Sequence, residues 1–213
     1  MKSVRIMFSK TGRAKYVSHL DLVRAMTRAV RRANIPLWYT EGFNRHPYLT
    51  FAAPLSLGYE GLRETMDIRM AEDFPYDELV KRLNDVLPEG LVAISAGDAI
   101  AKAGDLAAAE YKMLIQLPVE TIQGALSAGE LLVEKRTKKK TMKTIDILPY
   151  FKDAIVEQVG ESATSVTVTL PSGSAENINP GLFVTALKAV SGSDVDAHVV
   201  RQRLLLADGS EFL

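Results

Sequence analysis

The chain has 213 residues, of which 47% are apolar and 24% are charged, and its 26 basic side chains balance its 26 acidic ones. This composition excludes a disordered or fibrous chain and is typical of a globular protein with one large domain or two small ones. Cysteine is absent, which excludes disulfides, thiolate nucleophiles, iron–sulfur clusters and thiolate zinc sites.

The sequence also predicts where the protein works. No apolar run approaches the roughly 20 residues that a membrane-spanning helix needs. The first residues, MKSVRIMFSK, alternate as in a strand and do not form the apolar core of a signal peptide. We therefore expect a cytoplasmic protein that needs no membrane.

The first predicted elements are a strand and a helix. Val4, Ile6 and Phe8 alternate with polar or smaller neighbours, which predicts a half-buried strand. The spacing of Ser18 and Asp21 matches a capping box, so a helix is predicted to begin there. Its buried stripe repeats at helical spacing and consists of Leu22, Met26, Ala29, Val30 and Ala33.

The following elements complete a recognisable order. Strand patterns at residues 37–40, 49–52 and 64–70 are followed by a helix pattern at 76–87 and a strand pattern at 91–96. Strand, helix, strand, strand, helix, strand is the split βαβ, ferredoxin-like order. We assign residues 1–97 to this half, which carries the SHLDL and GFNRHP motifs.

The second half shows a similar pattern. The Ala- and Gly-rich residues 98–109 are interpreted as a linker, and residues 110–213 as a second ferredoxin-like half with a basic hairpin. Strands are predicted at 111–117, 131–136, 143–148, 165–170 and 198–206, and helices at 119–128 and 180–190. The predicted fold class is therefore α+β, with two ferredoxin-like halves in tandem.

Basic residues are concentrated near the N-terminus, where the first 50 residues carry ten basic and two acidic side chains. The predicted first helix presents an arginine face, and guanidinium groups match phosphate oxygens in pairs. The alternative is a solvated helix face. The predicted phosphate contacts on this segment are Arg24, Arg28, Arg31, Arg32 and Arg45.

A second basic run, EKRTKKKTMK, occupies residues 134–143. A lysine-rich turn between two strands is suited to salt-sensitive phosphate contacts through Lys138, Lys139 and Lys140. The alternative is a hydrated hairpin tip that binds nothing.

Two histidines lie near the predicted helix. A neutral imidazole at a helix N-terminus can transfer protons near pH 7, and an arginine can stabilise developing charge. His19, His46 and Arg45 are therefore the catalytic candidates for metal-independent phosphodiester cleavage, if they converge with Tyr16 and Asn44. The alternative is local capping and turn packing.

The spacing of the two histidines with Asp21 matches no common metal motif, so we expect no metal and no cofactor.

Aromatic side chains interleave with the basic residues after the helix. Such side chains stack bases on the sheets of many small RNA-binding modules, but they also fill cores. The residues concerned are Trp38, Tyr39, Phe43, Tyr48 and Phe51.

Three motifs carry a family resemblance: SHLDL at residues 18–22, GFNRHP at 42–47 and PLSLG at 54–58. With residues 135–150, they make the chain similar to the bacterial radical SAM-linked proteins, the DUF2344 family. The loop at 54–58 departs from the family motif, with Ser56 where proline is expected. The motif residues are Ser18, His19, Asp21, Gly42, Phe43, Asn44, His46 and Pro47.

The resemblance implies association with a radical SAM enzyme, as a fused domain or an encoded neighbour. A chain without cysteine cannot hold the three-cysteine cluster of such an enzyme, so we expect a standalone partner. We predict an RNA-binding accessory protein that presents tRNA or rRNA to a radical SAM modifying enzyme. Two alternatives stay open, a metal-independent endoribonuclease of RAMP-like architecture and a protein adaptor that binds no nucleic acid. The sequence does not decide whether the protein is an enzyme.

Overall fold

The computed structural model describes residues 2–136 and 141–213. The protein is of the α+β class and divides into two compact units. The first unit comprises Met1–Ala107 with Arg201–Leu213, and the second comprises Ala108–Val200. No helix in the described ranges is long and apolar enough to cross a membrane.

The elements of the first unit follow the predicted order, except that residues 37–40, expected as a strand, form only isolated bridges at Leu37 and Tyr39. The elements are β1 (Lys2–Lys10), α1 (His19–Arg32), β2 (Leu49–Phe51), β3 (Glu60–Met70), α2 (Tyr76–Asn84) and β4 (Leu91–Asp98). The strands lie in the order β4-β1-β3-β2 and each neighbouring pair is antiparallel. Ile68 of β3 is paired with both Val4 of β1 and Leu49 of β2. This arrangement is compatible with the split βαβ order.

The core of the first unit lies between one face of this sheet and the two helices. Val4, Ile6 and Phe8 of β1 are at most 1% exposed, as their alternation predicts. The buried stripe of α1 also matches its prediction. Leu79 and Leu83 of α2 complete the cluster.

The other face of β1 is buried as well, which the alternating pattern did not predict. Arg5 is 4% exposed, and its guanidinium donates to both carboxylate oxygens of Asp67 at 2.7 and 2.8 Å. It also donates to the carbonyls of Ala101 and Leu213 and lies 3.8 Å from the Phe212 ring centroid. The last residues of the chain therefore cover this arginine within the first unit.

A second buried ion pair joins β3 to the C-terminal part of the first unit. Arg201 and Glu64 are 2% and 4% exposed, and the guanidinium donates from two nitrogens to the Glu64 carboxylate. Arg201 also donates to the Ala53 carbonyl at 2.7 Å. Lys10 is buried close enough to interact electrostatically with both members of this pair. Its burial lowers the pKa of its ammonium group.

The second unit repeats the order with an insertion. Its elements are β5 (Leu106–Ile115), α3 (Val119–Leu126), β6 (Leu132–Arg136), β7 (Met142–Asp146), α4 (Leu148–Phe151), β8 (Ile155–Val159), β9 (Ala163–Pro171), α5 (Gly181–Ser191) and the first part of β10 (Ala197–Leu206). The sheet order is β10-β5-β9-β8, while β6 and β7 form a separate two-stranded sheet. Phe151 and Phe183 stack in the core with their centroids 4.3 Å apart.

The separate hairpin agrees with the two strands expected on either side of the lysine-rich turn, since Leu132–Arg136 pairs with Met142–Asp146. One strand of the main sheet was not predicted. This strand is β8, which pairs with β9. No strand was expected there because β8 is a short edge strand whose side chains are mostly exposed, so its sequence lacks strict alternation.

Candidate nucleic-acid interface

Helix α1 begins as its cap residues predict. The backbone N–H of Asp21 donates to Ser18 Oγ at 3.2 Å, and the Ser18 hydroxyl donates to the Asp21 carboxylate at 2.7 Å. This closes the first turn of the helix. With Leu22, Met26, Ala29 and Val30 buried, the arginines are left on the exposed side.

Arg24 differs from the other arginines of this helix. Its guanidinium forms an ion pair with Asp21 at 3.0 Å, one turn earlier. Hydrogen bonds from Ser18 and then from Arg24 hold the pKa of the Asp21 carboxyl below its usual range. The positive charge of Arg24 is therefore matched locally.

The next turns of α1 form a basic depression of about 440 Å³, which we name the arginine cleft. Its lining residues are Ala25, Arg28, Arg31, Arg32 and Pro88. All three arginines are exposed, and no described acidic residue lines the cleft. Its surface therefore carries positive charge that no carboxylate within the cleft balances.

The three guanidinium groups are held to different extents. Arg32 donates to the Val86 carbonyl at 2.8 Å, which anchors the end of α1 to the segment after α2. Arg31 lies 5.7 Å from the centroid of the exposed Tyr39 ring. Arg28 has no ion-pair partner among the described residues. Arg28 and Arg31 are thus free to bind an anion without breaking an ion pair.

The GFNRHP loop lies at this same end of α1, because Tyr39 beside Arg31 also bridges to Pro47. The loop is closed by a hydrogen bond from Thr40 N to His46 O and another from His46 N to Thr40 Oγ1. Gly42 has a φ of +116°, a conformation that favours glycine. Phe43, Asn44 and Arg45 are consequently displayed to solvent.

Phe43 is the most exposed large apolar side chain of the described residues, with its full surface accessible. Trp38 and Tyr48 instead pack around Arg69, whose guanidinium lies 5.4 and 4.1 Å from their ring centroids. Phe51 packs on Phe8 and His19. Of the predicted stacking residues, Phe43 and Tyr39 are therefore the ones that remain available to bases.

The structure does not bring the two histidines together. His19 is the first residue of the 14-residue helix α1 and packs against Phe51, with ring centroids 5.3 Å apart. His46 belongs to the GFNRHP loop, which lies near the other end of α1 through Tyr39 and Arg31, and the helix is about 20 Å long at 1.5 Å per residue. Its Nδ1 lies 3.0 Å from the Asn44 carbonyl and 3.2 Å from Thr40 Oγ1. Of the predicted set, Asn44, Arg45 and His46 therefore lie together in the loop, while Tyr16 and His19 lie at the start of α1.

Exposed apolar residues mark the His19 end of α1. Tyr16 and Leu20 are 68% and 59% exposed, and Leu57 of the PLSLG loop is 63% exposed. Gly58 N donates to the Lys15 carbonyl at 2.9 Å, which ties that loop to the segment before α1. The two ends of one helix thus carry different surfaces, apolar at the start and basic at the end.

The remaining predictions concern the lysine-rich turn and metal binding. Lys138, Lys139 and Lys140 lie outside the described residues. The described part of the chain contains no group of three His, Asp or Glu side chains placed to hold a metal ion.

The sequence patterns did not identify Pro88 as part of the arginine cleft or Tyr39 as the neighbour of Arg31. Pro88 follows α2 and lies 56 positions after Arg32 in the sequence, so no local pattern connects the two. The short helix α2 and the hydrogen bond from Arg32 to Val86 bring it there.

Comparisons with known proteins identify a family and a fold. Residues 3–180 match the model of a family described as "Uncharacterized protein conserved in bacteria (DUF2344)". No curated protein matches the chain. Among solved structures, a chain from "Crystal Structure of a Cbf5-Nop10-Gar1 Complex" is 14% identical with a TM-score of 0.53.

That similarity covers 94% of this chain and 48% of the other, so the chain spans about half the length of that structure's chain. At this identity the similarity shows the fold alone. A protein described as "Crystal Structure of an Unknown Protein from Galdieria sulphuraria" is 16% identical with a TM-score of 0.28, and the match covers 94% of this chain and 98% of that one.

Proposed function

The chain belongs to the DUF2344 family, whose description names no activity, and we therefore propose from its own surface that it is a cytoplasmic RNA-binding accessory protein. The arginine cleft carries this proposal. Three exposed arginines share one depression in which no described carboxylate opposes them.

Helical spacing makes these arginines a matched set for phosphates. Arg28 and Arg32 are one turn apart, and Arg31 lies between them on the same side of α1. Guanidinium groups bind phosphate oxygens through two parallel hydrogen bonds, which fixes orientation as well as charge. An RNA backbone offers such phosphates in series.

The neighbouring loop supplies a group for bases. Phe43 is held in solvent by the GFNRHP loop, and the same loop exposes Arg45. An unpaired base stacked on an aromatic ring gains about 1 to 3 kcal/mol with little sequence preference. We therefore propose that phosphates bind the arginine cleft and that an unstacked base covers Phe43.

The binding experiment compares Arg28→Gln/Arg31→Gln with the wild-type full chain. These two residues are chosen because Arg32 also holds the Val86 carbonyl, so its loss would disturb packing. Fluorescence anisotropy with labelled single-stranded RNA is expected to show affinity at least tenfold weaker in the double variant. Lys152→Gln is the matched control, since Lys152 is an exposed cation of the second unit with no described partner. Equal binding by all three proteins would contradict the proposal.

The RNA partner is proposed to be tRNA or rRNA that is presented to a radical SAM enzyme, an association implied by the resemblance of the sequence motifs to radical SAM-linked proteins. Co-purification of a radical SAM protein is expected to be lost after ribonuclease treatment. Recovery that resists both ribonuclease and high salt would instead favour a protein adaptor.

The nuclease alternative is tested by carrying out the binding in EDTA, recovering the RNA and examining it for cuts. Intact RNA is expected, because His19 packs on Phe51 at the start of α1 while the loop of His46 lies near the end of this helix through Tyr39 and Arg31. Discrete cuts that disappear in His19→Ala or His46→Ala would contradict the accessory role.

A further inference from the structure

The second unit contains a cleft of about 820 Å³ between the β6–β7 hairpin and residues 173–179. We name it the lysine cleft, because Lys135 and Lys143 both line it. It is the size of a small-molecule site, for which a few hundred to about 1,000 Å³ is usual. It belongs to a different unit from the arginine cleft.

The two lysines lie directly opposite each other. Lys135 of β6 is the cross-strand partner of Lys143 of β7, so their side chains project from the same face. Like charges in this position destabilise a hairpin, because opposed side chains are only about 5 Å apart at Cβ. An anion bound between them would remove this repulsion.

The lysines differ in how they are held. Lys135 Nζ donates to the Asn177 carbonyl at 2.6 Å, which keeps its ammonium at the cleft wall. Lys143 is exposed and has no partner in the described ranges. One cation is thus positioned and the other is free to close on a ligand.

The acidic residue of the cleft is engaged by a neighbour. Glu176 accepts a hydrogen bond of 2.5 Å from the Tyr150 hydroxyl, and this bond raises the pKa of Tyr150. Tyr150 therefore stays protonated and keeps the carboxylate occupied. The titratable groups lining the cleft are two lysines, one tyrosine and one glutamate, so positive charge is in excess.

The cleft is also lined by apolar side chains. Ile145 lies on the same face of β7 as Lys143, two residues along the strand, and Ile178 and Leu182 complete the apolar lining. A free phosphate would use the lysines but leave this lining uncovered. A ligand with a phosphate at one end and a flat ring at the other would use both.

We propose that the lysine cleft binds a nucleoside monophosphate, either free or as one unit of an RNA strand. Its phosphate lies between Lys135 and Lys143, and its base covers Ile145 and Leu182. This site does not depend on the arginine cleft, and its failure leaves the function proposed above untouched.

Titration of the full chain with each of the four ribonucleoside 5′-monophosphates tests the site by isothermal calorimetry. Saturable binding of at least one is expected. Lys143→Met keeps most of the aliphatic stem but removes the charge, and its affinity is expected to fall at least tenfold. Lys143→Arg is expected to restore most of it. Lys152→Gln, which removes an exposed cation of the second unit outside both clefts, is expected to bind as the wild type does.

Three outcomes would overturn the proposal. They are no saturable binding at millimolar nucleotide, equal binding by wild type and Lys143→Met, and equal affinity for inorganic phosphate and the nucleotides. Titration with a short oligouridylate distinguishes a nucleotide within an RNA strand from a free nucleotide. If Lys143→Met weakens the oligonucleotide in the Arg28→Gln/Arg31→Gln background, the nucleotide is part of an RNA. If only free nucleotides respond to Lys143→Met, the ligand is the free nucleotide.

Discussion

Arginines of the first unit occupy two contrasting environments. Arg201 and Arg5 are buried and each shares a carboxylate through two hydrogen bonds, with Glu64 and Asp67 respectively. Arg28 and Arg31 are exposed and have no carboxylate partner among the described residues. The same side chain thus serves folding where its charge is matched inside the protein, and is available for binding where it is not.

The largest effect is expected for Arg201→Met. Removing the guanidinium leaves the Glu64 carboxylate buried without its partner, so the free energy of unfolding is expected to fall by about 3 to 5 kcal/mol. Urea denaturation measures this change. Arg201→Met/Glu64→Leu should recover much of the loss, because no charge then remains buried. A loss below about 1 kcal/mol in the single variant would show that the pair is not structural.

Arg5→Leu should follow with a smaller effect. Asp67 is more exposed than Glu64, so water can solvate the carboxylate that the variant leaves behind. We expect a loss of about 2 to 3 kcal/mol in urea denaturation, together with lost stacking on Phe212. A loss as large as that of Arg201→Met would mean that water does not reach Asp67.

The exposed arginines should contribute far less to stability. Arg28→Gln/Arg31→Gln is expected to lower the free energy of unfolding by about 0.5 kcal/mol, the value of one exposed cation–π contact between Arg31 and Tyr39. The same denaturation curve measures it. A loss above about 2 kcal/mol would remove the distinction between the two groups of arginines.

Arg24→Gln should have the smallest effect. Its pair with Asp21 is exposed to solvent and contributes little to stability, and its charge is already matched. Stability and RNA affinity are both expected to stay near the wild-type values. An RNA affinity loss equal to that of Arg28→Gln/Arg31→Gln would extend the binding surface to the start of α1.

The features of α1 and β1 that depend on local sequence patterns could be predicted from the sequence. The Ser18 cap and the apolar stripe of α1 placed the helix and its arginine face, because both signals lie within the helix itself. The alternation in β1 placed its core face. It did not show that Arg5 is buried, because the groups that cover Arg5 include Phe212 and Leu213 at the far end of the chain.

Contacts between distant segments also explain what was missed at the candidate site. Pro88 reaches the arginine cleft through the packing of α2. His19 lies at the start of α1, while the loop of His46 lies near its end through Tyr39 and Arg31. The sequence places the two histidines 27 positions apart, a spacing that allows convergence or separation. The course of the chain after α1 decides between them.

The slope of RNA affinity against salt concentration tests the central claim most directly. Each phosphate bound by an arginine releases counterions and contributes about 0.7 to this slope for single-stranded RNA. The slope of Arg28→Gln/Arg31→Gln is therefore predicted to be smaller than that of the wild type by about 1.4, while Lys152→Gln keeps the wild-type slope. An unchanged slope in the double variant would contradict the claim that the arginine cleft binds the RNA backbone.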